Sequence, residues 1–194
     1  MAIEIYYTKT TDKSPRKWYD ANRPCRGSIA TWMCFMHYME RKYLPSYPSA
    51  YSLKEYNSRF TATMFWNGEG DMPMQEIWDL QLSKKVTPAE RLTMQSMMDK
   101  AYFLAADFPS VRNAWEEYVV GKNGGEGVTK AFTDLIATIE SLIQRMPEIH
   151  SIGINWNSVN CFYDTFGETD KDCYDFVADN RQVEQRLNNS KSYE

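Results

Sequence analysis

WEEYVVGKNGGEGV, residues 115–128, leads from an aromatic and apolar run through three glycines into a strongly periodic segment. Tyr118, Val119 and Val120 are strand-forming side chains, so residues 115–120 read as a strand, with a last helical segment as the other reading. Downstream, Val128, Ala131, Phe132, Leu135, Ile136, Ile139, Leu142, Ile143 and Met146 form one stripe at helical spacing. That stripe predicts a helix over 128–146, buried on one face and stopped by Pro147. IHSIGI, residues 149–154, reads as a buried strand. KNGGEG, residues 122–127, then sits between a strand and a helix N-terminus in a unit of βαβ type. At such a place backbone N–H groups lack helical partners, the helix dipole favours an anion, and glycines let the backbone approach a phosphate. A plain turn of the chain is the other reading.

Working outward, AIEIYYT, residues 2–8, reads as a first strand and the polar stretch 11–27 as a loop. Ile29, Trp32, Met33, Met36 and Met39 mark a helix from Ser28 to about Tyr43, ended by Pro45 and Pro48. RFTATMFW, residues 59–66, reads as a strand stopped by the turn signal NGEGD, and residues 73–83 as a short helix. Thr87, Pro88 and Glu90 form a capping-box helix start. From there Met94, Met97, Met98, Ala101, Leu104, Ala105 and Phe108 share one helical face, which Pro109 closes. The methionines on it are adaptable core. A short helix over 158–166 ends at Gly167, and Lys171 to Leu187 form a last helix, either a homodimer contact or a packed edge.

The composition narrows the classes of function. A chain of 194 residues with a hydrophobic fraction of 43% suits one domain with a real core. A net charge of -4 argues against general nucleic-acid binding, which needs a broad basic face. No apolar run approaches the ~18 residues of a membrane span, and the N-terminus lacks a signal-peptide core. Cys25, Cys34, Cys161 and Cys173 show no CxxC spacing and read as reduced thiols, so the expectation is a cytoplasmic protein. Two histidines, His37 and His150, make a zinc site improbable, and no metal is expected.

Two familiar phosphate loops do not fit KNGGEG. A Walker loop places Lys after the glycines, and a dinucleotide fingerprint needs GxGxxG after an early strand. The segment resembles instead the acyl-CoA-binding signature of the GNAT superfamily of N-acetyltransferases, Gln/Arg-x-x-Gly-x-Gly/Ala. Here it reads Lys122-Asn123-Gly124-Gly125-Glu126-Gly127, with Lys122 keeping a positive charge at the first position. INWNSVNCFYDTFG, residues 154–167, is similar to the family's later motif, an Asn after a strand and then Tyr-x-x-x-Gly. Asn157 or Asn155 is that Asn, and Tyr163 and Gly167 complete the motif.

The resemblance implies an α+β fold with a GNAT-like mixed sheet flanked by helices, in one domain over residues 1–194. Residues 115–167 are its acyl-CoA-binding core, and residues 73–108, read as helical, interrupt the N-terminal half as an insertion. Acetyl-CoA is the implied co-substrate, its acetyl group passing to an amine acceptor. By the same resemblance Lys122 to Val128 hold the CoA phosphates, with Asn157 nearby, and Val119 and Val120 offer strand-edge backbone to the pantetheine. Tyr163 is the implied general acid for the leaving thiolate, and Glu117 a base on the strand before the loop. A core aromatic is the other reading of Tyr163, and a solvated surface carboxylate that of Glu117. A non-enzymatic interaction protein, such as an inhibitor of a host system carried by a phage or mobile element, is the alternative function.

Overall fold

The computed structural model describes residues 3–18, 29–44, 79–97, 101–121, 125–156 and 174–190. Its elements in chain order are β1 (Glu4–Lys9), β2 (Arg16–Trp18), α1 (Ile29–Tyr43), α2 (Pro88–Gln95) and β3 (Ala101–Leu104). There follow α3 (Phe108–Val120), α4 (Gly125–Arg145), β4 (Ile149–Asn155), β5 (Tyr174–Asp175) and α5 (Phe176–Asn189). The strands form one sheet in the order β2-β1-β4-β3-β5. Its first four members are antiparallel to their neighbours, and short β5 runs parallel to β3. The fold is therefore α+β.

Strand register sorts the sheet into two faces. Ile5 lies opposite Ile154 and Tyr7 opposite Ile152, while Phe103 flanks Ile152 from β3. These five side chains join one core with Phe35 and Met39 of α1, Met94 of α2, Trp115 of α3, Phe132, Leu135 and Ile139 of α4, and Phe176 of α5. Residue Ile149 is also in that core, although three positions from Ile152 in a strand whose side chains alternate. The pairing explains it. Thr8 faces Ser151 while Lys9 faces Ile149, so His150 is an extra residue that resets the alternation.

The strand expected at 2–8, the helix expected from Ser28 and the strand expected at 149–154 are present, and the helix expected over 128–146 is α4, which begins earlier, at Gly125 inside KNGGEG. The capping box of α2 is complete, with Thr87 Oγ1 accepting from the Glu90 N–H at 3.2 Å and Glu90 Oε2 accepting from the Thr87 N–H at 3.1 Å. Met94 and Met97 are core, as expected of the methionine stripe. The C-terminal helix is α5, whose first turn is capped by Asp175 Oδ1 accepting from the N–H groups of Val177 and Ala178.

Several expectations are corrected. Residues 87–108 are not one helix, because α2 ends at Gln95 and Ala101–Leu104 form β3, an interior strand of the sheet. Ala101 and Phe103 are buried while Tyr102 and Leu104 alternate to the other face, so a period of two operates where a helical spacing also fitted. The stretch 73–108 is accordingly not a helical insertion. Pro109 opens α3 rather than closing a helix, since a first-turn residue has no intrahelical use for its N–H.

The largest correction falls on WEEYVV. It is the second half of α3, in which Val111, Ala114, Trp115 and Tyr118 are buried at helical spacing. Burial of one helical face overrides the strand preference of Tyr-Val-Val. Within the polar stretch 11–27, Arg16–Trp18 pair with β1 as an edge strand. Of the helix expected at 73–83, the described part is helical at Asp79 and ends in a single tighter turn at Leu80–Leu82. The strand expected at 59–66 and the short helix at 158–166 lie outside the described residues.

Candidate functional site

The start of α4 is the place to which the glycine motif points. Gly125 takes the left-handed backbone, φ +77°, and a Cβ added there or at Gly127 meets no atom within 4 Å. Gly125, Glu126 and Gly127 are exposed, and Val128 is the first side chain to enter the core. Lys122, Asn123 and Gly124 lie outside the described residues. Glu126 stands in the first turn, where the helix dipole favours its negative charge. The same charge opposes a phosphate bound at that turn.

The element before the glycines determines what surrounds them. α3 and α4 run antiparallel: Trp115 and Tyr118 pack edge-on against Phe132, with ring centroids 5.9 and 5.5 Å away. Farther along the pair, Arg112 bridges Glu116 and Glu140, each at 2.7 Å. Glu117, Val119 and Val120 thus lie at the end of a helix. Strand-edge pairing of pantetheine with Val119 and Val120 is corrected accordingly, because helical N–H groups turn back to carbonyls four residues earlier. Val119 packs against the core, while Val120 is 81% exposed and Glu117 is exposed. The fold brings Glu117, Val119, Val120 and Gly125–Val128 to one end of the helix pair. Tyr163 and Asn157 lie outside the described residues. Asn155, the other candidate for the motif's Asn, is buried at the end of β4 opposite Glu4.

A second constellation was invisible as such in the sequence. Glu90, besides completing the α2 capping box, receives Lys42 Nζ on Oε1 at 2.5 Å. The hydroxyl of Tyr38 also donates to Oε1, and that of Tyr43 to Oε2. With the Thr87 N–H on Oε2, each carboxylate oxygen has two donors. Lys42 also lies 5.0 Å from the centroid of the Tyr43 ring and donates to the Tyr38 hydroxyl at 3.0 Å. Burial by itself raises the Glu90 pKa, but the donors from Lys42, Tyr38 and Tyr43 outweigh it and hold the group at about 2. Burial and donation to Glu90 push both phenols up. A carboxylate so saturated is a poor general base. Its role is to lock α1 to the start of α2. The signal available was the spacing of Tyr38 and Lys42, one helical turn apart, together with a capping glutamate.

Arg91 beside it is 3% exposed and equally committed. It donates to the backbone carbonyls of Gln81, Ser83 and Val86 at 2.7, 3.1 and 3.1 Å. Cys34 is a free, half-buried thiol whose pKa is raised by burial, in line with a reduced structural cysteine.

The sheet face turned away from the core is polar. Thr8 and Ser151 share a hydroxyl hydrogen bond of 2.6 Å, Tyr6 donates to Glu4 at 2.7 Å, and Lys17 pairs with Glu4. Register puts Gly153 between Tyr6 and Tyr102. Tyr6, Thr8, Ser151 and Asn155 are all buried.

Among the described residues, no three or more His, Cys, Asp or Glu side chains are gathered to hold a metal ion. No described helix is long and apolar enough to cross a membrane. No protein-family model matches the chain, and neither a curated protein nor a solved structure matches it.

Proposed function

We propose that this chain is a non-enzymatic interaction protein that meets its partner with the exposed end of the α3–α4 pair. The observation that carries this reading is the conformation of residues 115–120. As a packed helix they place Glu117 and Val120 at an exposed helix end beside the start of α4. An acyl-CoA site of the kind the glycine motif implies is built on a strand edge at that position. Val120, 81% exposed, shares its helix face with Glu117 one turn earlier, and Glu126 stands at the same end of the pair. An apolar side chain flanked by carboxylates suits a partner surface with a small apolar notch and a basic rim. The commitments of Glu90 and Arg91 fit the same reading, since their bonds go to holding the scaffold. A phage or mobile-element inhibitor of a host system is one protein of this kind, in keeping with the chain's size and its net charge of -4.

The test is a photocrosslinking residue placed at Val120 in the full chain, with one at Gln185 on the exposed side of α5 as the control. A discrete protein adduct from position 120 alone, lost on Glu117→Lys, is the expected result. Equal labelling at both positions, or none at either, overturns the assignment.

The acyltransferase reading stands second, favoured by the open, glycine-lined first turn of α4. It is tested by thermal unfolding with millimolar acetyl-CoA and with ATP as the polyphosphate control. A ligand at ~100 times its Kd adds ~2.7 kcal/mol of stability. A rise with acetyl-CoA, absent with ATP and abolished by Gly127→Val, places the acyltransferase reading first and leads to screening of amine acceptors. No rise with either ligand removes it.

A further inference from the structure

We draw no further inference here: the strongest candidate, the polar face of the sheet on which Tyr6, Thr8, Tyr102, Ser151 and Asn155 surround Gly153, carries none because nothing among the described residues shows what covers it.

Discussion

Gly125 and Gly127, two residues apart at the start of α4, answer to different constraints. The left-handed φ of +77° at Gly125 is a conformation that an L side chain resists. Gly127 sits in the helix with open space around it, so a methyl group there meets no obstacle and restricts the unfolded chain. Gly125→Ala is therefore expected to lower stability by about 1–2 kcal/mol, from the left-handed penalty. Gly127→Ala is expected to raise it by about 0.5–1 kcal/mol, from helix propensity. Urea unfolding of the two variants reads both signs, and a loss at Gly127 contradicts the helical placement. Deeper in the helix pair, Phe132 is fully buried and meets Trp115, Tyr118 and Trp156. Phe132→Ala is expected to cost about 3–5 kcal/mol in the same experiment, as truncation of a buried ring does. Exposed Thr133→Ala on the same helix should stay within about 0.5 kcal/mol.

At the scale of elements, the contact between α1 and α2 is a charge-assisted clamp, and its pH dependence has a definite sign. The carboxyl of Glu90 is depressed to about 2, below the ordinary carboxylate value near 4.5. Its contribution to stability is therefore complete above about pH 4.5 and is lost as the pH falls towards 2. Glu90→Gln is expected to destabilise the protein by about 1–3 kcal/mol at pH 7, since bonds to a charged acceptor are replaced by bonds to a neutral one. The gap in unfolding midpoint between the two proteins should narrow as the pH drops from 4.5 to 2. A gap that stays constant across that window places the Glu90 charge outside the clamp. Strand β3 is the other element whose existence is open to direct test. Backbone NMR contacts between Phe103 and Ile152 and between Tyr102 and Gly153 are expected from the antiparallel register. A run of helical contacts through residues 95–108 contradicts it.

For the molecule as a whole, one continuous core links the inner sheet face to the buried sides of the five described helices. Trp115 and Trp156 both lie in it and both donate to Ser96, the first to Oγ at 3.2 Å and the second to the backbone oxygen at 2.9 Å. A core shared this way predicts one cooperative unfolding transition, with tryptophan fluorescence and far-ultraviolet circular dichroism coincident. Two separated transitions contradict a single folding unit.

Much of this architecture follows from residue patterns. The stripe from Val128 to Met146 specifies α4 because burying one apolar face is the dominant gain for a helix of that length. The Thr87-Pro88-Glu90 cap specifies the start of α2 by bonds that close within four residues. Local chemistry also marks β1 and β4. By contrast, AYFLAADF and WEEYVV admit both a strand and a helical period, and what they pack against settled each. Ala101 and Phe103 gain burial by pairing beside β4, whereas Trp115 and Tyr118 gain it against Phe132. Position 120 shows the consequence for function. The same Val that ends a strand-like run in the sequence stands exposed at a helix end in the fold, and Gly125 and Gly127 lie in the first turn of the next helix. The residues alone determined α1, α4 and the capped start of α2. Tertiary packing decided which ambiguous segments are strands and that Glu90 gathers Tyr38, Lys42 and Tyr43, because both depend on neighbours about fifty residues away in the sequence, beyond the reach of any local pattern.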